Sequence, residues 1–481
     1  MLDALLIGLV LVDLALRVAM TPVILRRRFS PQRTLLWLLV VYMLPIPGTG
    51  LYFLLGRQYL GKRRREAYAK LVRERNGDAC AKYADPEAPR AFSTAQDAVS
   101  RLAEAMSGNA VLSGNAGTYL DEAEDMRDRM IEAIDAAEHH VHLQSYIFVE
   151  DEIGGAVLDA AARAAQRGVT VRVIADGVGS RPLLDDANRR RWRQRGVDVR
   201  AAMPVGRLRR KLARFDLRNH RKLAVIDGRI GFAGSHNLVV QHYHDDDFPD
   251  RGTVDLSAEC RGPIVGQLQR SFLDDWAFET GHQLHDDPAF FPELEPVGDD
   301  IGHVVPTGPT DESETFRRVL LAAVGVAMRE VTITTPYLVP DEATMLALSI
   351  AAQRGVDVSL IVPGRLDKPL VAAASHAYYG RLLEAGIRIF RHRDLLLHSK
   401  TVTIDDQIAL MGSANLDVRS FELNFELSIL LYGEATTRRL RDVQRRYLDA
   451  SDAVELEAWR GSRSTLRFYL ERAAALFSPL L

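Results

Sequence analysis

The six residues Ala-Ala-Gln-Arg-Gly-Val occur at positions 164–169 and recur unchanged at positions 351–356. The apolar runs before each repeat span 141–149 and 331–338, and the β-branched runs after it span 169–175 and 356–362. An alanine-rich stretch lies before each repeat, so both copies predict strand, helix, strand, with the glycine as a left-handed helix cap. The duplication therefore predicts an α/β fold of two similar copies with a substantially parallel sheet.

A second repeated pattern carries the residues suited to chemistry. The first copy reads HRKLAVID at 220–227 and GSHN at 234–237, and the second reads HSKTVTID at 398–405 and GSAN at 412–415. A histidine and a lysine two residues apart on a strand point to the same face. In the first copy Asp227-Gly228 is a strong hairpin-turn pair, which predicts a second strand immediately afterwards.

This combination of residue types suits a phosphoryl group. A histidine can act as a nucleophile or a proton carrier, and the lysine beside it supplies a fixed positive charge for a transition state that spreads negative charge over its oxygens. Serine and asparagine after a glycine turn can donate hydrogen bonds to the same oxygens. One histidine cannot both attack phosphorus and protonate the leaving oxygen, so two copies permit one of each.

Written as HxKxxxxD followed by GSxN, the pattern resembles the signature of the phospholipase D superfamily, present here twice. The chain is also similar to bacterial cardiolipin synthases of the phospholipase D type over nearly its whole length. The stretches that carry this resemblance are 45–57, 146–148, 151–154, 176–180, 335–337, 415–421, 424–426 and 478–481. It implies two duplicated phospholipase D-like α/β sandwich domains with a pseudo-two-fold active site, and an enzyme that joins two phosphatidylglycerol molecules, releasing glycerol and making cardiolipin.

The resemblance also implies roles for individual residues. One histidine becomes covalently phosphorylated while the other acts as acid and then base, without a metal or another cofactor. The lysines clamp the phosphate, and the aspartates stabilise the motif. The catalytic set is then His220, Lys222, Asp227, His398, Lys400 and Asp405, and the phosphate-binding set is Ser235, Asn237, Ser413 and Asn415. The residues leave open which histidine is the nucleophile, and we favour His220.

The N-terminus predicts a membrane anchor. Residues 5–25 are apolar apart from Asp13, Arg17 and Thr21, and this length can cross a bilayer as a helix. Asp13 and Arg17 share a helix face and can neutralise each other. A second apolar stretch, 35–55, is interrupted from Pro45 onwards, so we expect it to be bent or re-entrant. The alternative is a buried core hairpin.

These features predict four segments. They are an N-terminal membrane anchor (1–60), a charged helical linker (61–110), a first phospholipase D-like domain (111–297) and a second one (298–481). An acidic, proline-containing stretch marks the boundary between the copies. We expect the enzyme in the bacterial inner membrane, with its catalytic domains in the cytosol.

Composition separates the competing functions. The net charge of −3 does not favour nucleic acid as a partner, whereas a nuclease of this superfamily predicts a broad basic groove. Phosphatidylglycerol and anionic membrane lipid are the predicted partners. Hydrolysis to phosphatidic acid and transfer to another alcohol stay open, because they depend on water exclusion and acceptor binding. A non-catalytic lipid-binding protein predicts degraded motifs, and both motifs are complete.

Three further segments allow two interpretations each. The basic segment 207–214 is either an anionic-lipid contact or a solvated loop. The histidines at 242 and 244, next to aspartates, form either a polar loop or a metal site, of which we favour the loop. The amphipathic stretch 466–477 either lies on a membrane surface or packs on the second domain.

Overall fold

A computed structural model describes residues 2–27, 31–56, 64, 66–68, 70–71, 80–83, 92–204, 217–241, 252–285, 287–309, 314–366, 368–393, 395–476 and 478. The chain forms two compact units. The first consists of residues 1–66 and 205–217, and the second of residues 67–204 and 218–481. Both copies of the sequence repeat belong to the second unit. The predicted boundary at 297/298 stays a prediction.

Three helices make up most of the described part of the first unit: α1 (Leu2–Leu25), α2 (Pro31–Met43) and α3 (Pro45–Leu55). The predicted interruption lies at Leu44, and α3 begins at Pro45, where a missing backbone N–H costs no helical hydrogen bond. Asp13 and Arg17 form the predicted ion pair, with 2.8 Å between carboxylate and guanidinium.

A small buried cluster joins these helices, and much of their remaining apolar surface is exposed. The buried members are Met20, Ile24, Val41 and Tyr52. The exposed large apolar residues include Leu11, Leu14, Val18, Leu35, Leu36, Leu39, Met43 and Ile46. In the described ranges, no helix has both the length and the apolar character needed to cross a membrane. The prediction of membrane-spanning helices is therefore not confirmed.

In the second unit, the first copy of the repeat begins after helix α4 (Thr94–Ser107). Its elements are β1 (Leu112–Leu120), α5 (Ala123–Asp135), β2 (His140–Ser145), α6 (Gly154–Gln166), β3 (Thr170–Asp176), α7 (Asp186–Gln194), β4 (Val197–Ala202), β5 (Arg218–Asn219), β6 (Leu223–Ile226), β7 (Ile230–Gly234), β8 (Thr253–Val254), β9 (Ser257–Arg261) and α8 (Ile264–Thr280). The predicted strand, helix, strand unit is thus β2, α6, β3.

The second copy repeats this order and adds further elements, most of them short. Its elements are β10 (Asp300–Thr307), α9 (Thr315–Val326), β11 (Glu330–Thr334), β12 (Leu338–Val339), α10 (Glu342–Gln353), β13 (Asp357–Pro363), α11 (Pro369–Glu384), β14 (Arg388–His392), β15 (Leu396–Leu397), β16 (Thr401–Ile404), β17 (Ile408–Gly412), β18 (Leu416–Asp417), α12 (Val418–Glu422), β19 (Asn424–Tyr432), α13 (Glu434–Asp449), β20 (Ser451–Ala453), α14 (Leu456–Gly461) and α15 (Thr465–Ala475). Gly168 and Gly355 both have positive φ, as predicted for the caps after α6 and α10.

The two copies share one long sheet whose strand order reflects the duplication. The first half runs β4-β3-β2-β6-β7-β9-β1, and the second runs β14-β13-β11-β16-β17-β19-β10, with β20 added at its edge. The antiparallel pair β1–β10 joins the halves at the centre. The duplicated α/β architecture predicted from the repeat is therefore present.

The sheet is less parallel than predicted. Strands β2, β3 and β4 are parallel to one another, as are β11, β13 and β14. The remaining neighbours on the long path are antiparallel, including the hairpins β6–β7 and β16–β17 that follow the HxK motifs. Three-residue turns connect these hairpins, and no crossover helix is needed to reverse the chain.

Helices cover both faces of each half. In the first half, Val141 and Leu143 of β2 pack with α5 and α6, whereas Leu223 and Val225 of β6 lie in a cluster with α8. That second cluster also contains Leu440 of α13 and strand residues of the other half. The core therefore continues from one half into the other, which fixes the HxK strands of both halves in one framework.

Candidate active site

Each HxK motif is held by strand residues of the opposite half. Strand β5, just before His220, pairs in parallel with the start of β19, and the His220 N–H donates to the carbonyl of Phe425 over 2.8 Å. Strand β15, just before His398, pairs in parallel with β8, and the His398 N–H donates to the carbonyl of Val254 over 2.8 Å. The two halves thus exchange equivalent backbone contacts around a pseudo-two-fold axis.

Each of the two imidazoles also forms a hydrogen bond with a carboxylate of the opposite half. The Nδ1–H of His220 donates to Oε2 of Glu426 over 2.9 Å, and the Nδ1–H of His398 donates to Oδ1 of Asp255 over 2.7 Å. The acids occupy equivalent positions in the two copies, because each is followed by Leu and Ser. Each histidine is therefore oriented by an acid from the half that does not contain it.

Burial sets the charge state of these rings. It lowers the pKa of His220 to about 4 and that of His398 to about 3, although the carboxylate beside each ring opposes the shift. Both imidazoles are neutral at pH 7. Because each Nδ1 carries the donated hydrogen, each Nε2 presents a lone pair, the form required for attack on phosphorus or for accepting a proton.

The two acids stay ionised in spite of their burial. Burial raises the pKa of Glu426, but His220, Lys222 and Ser413 lower it further, so that the net pKa lies below its ordinary value. Burial likewise raises the pKa of Asp255, and His398 and His236 bring it well below its ordinary value. An ionised acid behind Nδ1 stabilises the imidazolium that forms when Nε2 gains a proton or a phosphoryl group.

The charges of the two motif lysines act on both motif histidines. Lys222 and Lys400 are buried, and each Nζ donates a hydrogen bond to the carbonyl of its own motif histidine. Lys400 lowers the pKa of His220, and Lys222 lowers that of His398, so charge from each motif reaches the other. The structure therefore brings together His220, Lys222, His398 and Lys400.

Burial also lowers the pKa of both motif lysines. It lowers the pKa of Lys222 well below its ordinary value, and lowers that of Lys400 to about 8. Tyr146 borders the same site, with its ring centroid 4.9 Å from that of His220 and 5.4 Å from Nζ of Lys222. An anionic phosphate placed there would favour the charged form of both lysines.

The serines of the GSxN motifs support the acids. The hydroxyl oxygens of Ser235 and Ser413 accept hydrogen bonds from the backbone N–H groups of Leu256 and Leu427, each over 2.9 Å. The Ser413 hydroxyl also donates to Oε2 of Glu426. The serines therefore fix the strand segments that carry the two acids, and their predicted contact with phosphate stays a prediction.

The asparagines contact loops beside the site. Oδ1 of Asn237 accepts a hydrogen bond from the Ile147 N–H over 3.1 Å, next to Tyr146. The side chain of Asn415 is hydrogen-bonded to Asp417, whose pKa burial raises to about 6. As with the serines, phosphate binding by the asparagines stays a prediction.

Asp227 and Asp405 lie at the other end of the motif strands from the histidines. The carboxylate of Asp227 accepts hydrogen bonds from three consecutive backbone N–H groups, those of residues 138–140, at the start of β2. That of Asp405 does the same for residues 328–330 at the start of β11. Both residues have positive φ, 52° and 45°, and Asp227 begins the hairpin turn that the sequence predicts in the first copy. The structure thus gives them backbone-anchoring contacts.

Sequence reasoning missed Asp255 and Glu426 as site residues. A usable signal was present, because Asp-Leu-Ser at 255–257 and Glu-Leu-Ser at 426–428 follow the GSxN motif in their respective copies. The spacing differs, with 18 residues from Asn237 to Asp255 and 11 from Asn415 to Glu426. The predicted basic segment 207–214 and the histidines at 242 and 244 lie outside the described residues.

Comparisons with known proteins agree with this geometry. The family described as "Cardiolipin synthase, PLD-like domain" matches residues 130–276 and 320–447, one segment in each copy. A second family, described as "Phospholipase_D-nuclease N-terminal", matches residues 9–57. Together they cover most of the chain and both HxK motifs.

Individual relatives are similar over nearly their full length. Cardiolipin synthase A of Proteus mirabilis (strain HI4320) is 33% identical over 471 residues, and that of Erwinia tasmaniensis is 34% identical over 466 residues; 95% of each chain is covered in both cases. Among solved structures, phosphatidylserine synthase of Haemophilus influenzae Rd KW20 has the same fold, with a TM-score of 0.60 at 16% identity over 79% of this chain and 99% of that chain. The chain therefore belongs to the phospholipase D superfamily, in its family of bacterial cardiolipin synthases, which are phosphatidyltransferases.

Proposed function

We propose that this protein is a cardiolipin synthase that transfers a phosphatidyl group from one phosphatidylglycerol molecule to the glycerol headgroup of a second. The observation that carries the proposal is the crossed pairing of His220 with Glu426 and of His398 with Asp255. It supplies two equivalent imidazoles, each with an ionised acid behind Nδ1, in one site. The relatives named above as cardiolipin synthase A support the choice of reaction.

The first half-reaction forms a covalent intermediate. Nε2 of His220 attacks the phosphorus of the first phosphatidylglycerol, and the bond from phosphorus to the headgroup oxygen breaks. His398, protonated under the influence of the bound phosphate anion, gives its proton to that oxygen, and glycerol leaves. Lys222 and Lys400 hold the phosphate oxygens, and Glu426 stabilises the positive charge that develops on the His220 ring.

The second half-reaction reverses these roles with a new alcohol. His398, now neutral, takes the proton of a hydroxyl on the second phosphatidylglycerol, and that oxygen attacks the phosphorus. The bond between phosphorus and His220 breaks, which releases cardiolipin and restores the free imidazole. One phosphodiester replaces another, so the exchange requires no external energy source and no cofactor.

The proposed substrate is a membrane lipid, and the first unit supports contact with lipid. Its helices leave many apolar side chains exposed, among them Leu14, Val18, Leu35 and Leu39. Side chains of this kind are stable against acyl chains and unfavourable in water. We therefore place the enzyme at the bacterial inner membrane, with the catalytic copies on the cytosolic side and the stretch 35–55 returning to that side. Cysteine labelling at positions 30 and 62 from opposite sides of the membrane would contradict this topology.

Product analysis tests the reaction. Purified full chain in detergent is given phosphatidylglycerol alone, and lipids are identified by mass spectrometry. We expect cardiolipin with an equimolar amount of glycerol from the unmodified enzyme, and essentially none from His220→Ala or His398→Ala. His282→Ala, which changes an exposed histidine, is the matched control and should retain full activity. Phosphatidic acid without cardiolipin would show that the enzyme hydrolyses the lipid instead of transferring the phosphatidyl group. Full activity in either motif variant would refute the two-histidine mechanism.

A further inference from the structure

A second cleft lies away from the HxK motifs, between helices α11, α14 and α15. It has a volume of about 440 Å³, and none of its lining residues belongs to either motif. Aromatic and cationic side chains dominate its walls, including Trp459, Phe468, Arg460 and Arg472. This composition suits a ligand that combines an anionic group with apolar parts.

Positive charge exceeds negative charge in the lining. Four arginines line the cleft, at 381, 460, 463 and 472, against two glutamates, at 384 and 471. Burial lowers the pKa of His376 in the same wall to about 4, so this ring is neutral at pH 7. Glu471 is buried, where it pairs with Arg463 and Arg467, while Arg460 is about half exposed and pairs with Glu384 and Glu457. Arg381 pairs with Glu342, whereas Arg472 is exposed beside the Phe468 ring and, among the described residues, has no carboxylate within ion-pair distance, so Arg472 supplies the positive charge of the rim.

Helix α15 adds an apolar surface beside this cleft. Leu466, Tyr469, Leu470 and Leu476 are 69%, 65%, 59% and 81% exposed, and their spacing places them along one side of the helix. Glu471 lies on the opposite side and is buried, and Ala474, at the edge between the two sides, packs with Val371 and Ala374 of α11. The helix is thus fixed on its inner side and apolar on its outer side, the pattern of a helix that lies on a membrane surface.

Helix α11 connects this region to the active site. Val371, near its N-terminal end, packs with Val339 of β12, and β12 pairs with β18, which directly follows the second GSxN motif. The N-terminal end of α11 therefore lies beside that motif. His376, Arg381 and Glu384, further along the same helix, line the cleft. A lipid surface against α15 would therefore have a defined orientation relative to the active site.

We propose that the cleft and the outer side of α15 form a docking site for an anionic phospholipid in a bilayer. The phosphodiester binds the arginine rim, and the acyl chains lie beside Leu466 and Leu470. This inference deepens the proposed function, because it assumes a membrane lipid as substrate, but the site itself lies outside the catalytic centre. Its role is to hold the mouth of the active site at the bilayer, so that a phosphatidylglycerol molecule enters without leaving the lipid phase.

A fluorescence experiment tests docking independently of catalysis. Full chain carrying His220→Ala and Tyr469→Cys, labelled with an environment-sensitive dye, is reconstituted in phosphatidylcholine vesicles with or without phosphatidylglycerol. We expect the emission to shift to the blue only with phosphatidylglycerol, and inorganic phosphate to cause no shift. The same dye at Leu346→Cys, on α10, is the control and should not respond. An absent shift, or equal shifts in both lipids, would overturn the proposal.

A kinetic experiment separates this site from the proposed function. The double variant L466S/L470S should lose about tenfold in activity towards long-chain phosphatidylglycerol in vesicles, because two leucines leave the lipid contact. It should keep full activity towards monomeric, short-chain phosphatidylglycerol. The matched double variant L346S/I350S changes two exposed apolar residues with the same spacing on α10 and should lose nothing on either substrate. Equal activity of L466S/L470S on both substrates would refute docking, whereas an unmodified enzyme inactive on both would refute the proposed function instead.

Discussion

Glu426, in the second copy of the repeat, accepts a hydrogen bond from Nδ1 of His220 in the first. Three other side chains also donate to this carboxylate, those of Ser413, Ser420 and Asn424. The carboxylate therefore accepts four side-chain hydrogen bonds, which hold it in one orientation. This arrangement selects the tautomer of His220 that has its lone pair on Nε2.

Replacing Glu426 should affect the chemical step more than substrate binding. Glu426→Gln keeps the shape of the side chain but removes the charge that stabilises the imidazolium, so we expect kcat to fall by roughly 10² or more while KM changes little. Steady-state kinetics in mixed micelles measures both constants. Glu457→Gln, at a glutamate that is 85% exposed, is the control. An unchanged kcat in Glu426→Gln would show that the acid does not act through His220.

The identity of the nucleophile can be read from a trapped intermediate. If His220 attacks phosphorus, His398→Ala should still form an acid-labile phosphoenzyme from phosphatidylglycerol labelled at phosphorus, because only the proton donor is missing. His220→Ala should form none. Rapid denaturation followed by gel autoradiography detects the label. The reverse pattern would assign the attack to His398.

The basic side of the pH profile should report Lys400. Its pKa is lowered to about 8 by burial, so its positive charge is present below pH 8 and is lost as pH rises through that value. We expect kcat/KM, which reports the free enzyme, to fall above about pH 8. In Lys400→Arg the guanidinium keeps its charge, so the lower activity of this variant should not fall further in that range. A fall at the same pH in the variant would exclude Lys400 as its origin.

Acid should destabilise the first half through a buried histidine. The ring of His140 bonds to Gln269 and packs against Phe290, and burial lowers its pKa from 6.5 to about 4. The unfolded chain then binds more protons than the folded one below pH 6.5, so stability is complete above that pH and is lost as pH falls towards 4, by up to about 3 kcal/mol. Thermal unfolding from pH 7 to pH 4.5 should show a smaller loss for His140→Gln than for the unmodified chain.

Asp227 should matter for stability and not for the chemical step. Its carboxylate binds three backbone N–H groups at the start of β2, and its φ of 52° is unfavourable for alanine. Asp227→Ala should therefore lower the free energy of unfolding by roughly 2 kcal/mol, while kcat per folded molecule stays unchanged. Unfolding and activity measured on the same preparation test this. Asp128→Ala, at an exposed aspartate, should change neither quantity.

Much of the fold could be predicted because its signals are local and occur twice. The repeated Ala-Ala-Gln-Arg-Gly-Val predicted α6 and α10, and the glycine caps at 168 and 355 follow from the same six residues. The interruption before Pro45 and the ion pair between Asp13 and Arg17 also follow from local spacing.

The parts that could not be predicted depend on contacts between distant segments. The antiparallel majority of the sheet results from hairpins and from β1 pairing with β10 at the centre, and strand periodicity does not encode which neighbour a strand selects. The acids behind the histidines were missed for the same reason. Asp255 and Glu426 each bond to a histidine of the other copy, and a motif search within one copy cannot reveal that partnership.

The exchange of β5 and β15 between the halves has a consequence for how the protein can be divided. A cut between α8 and β10 would leave one fragment with His220 but without Glu426, and another with His398 but without Asp255. Neither fragment would contain the acid that pairs with its histidine, or the strand that pairs with β5 or β15. Catalysis would return only by complementation, when the two fragments fold against each other.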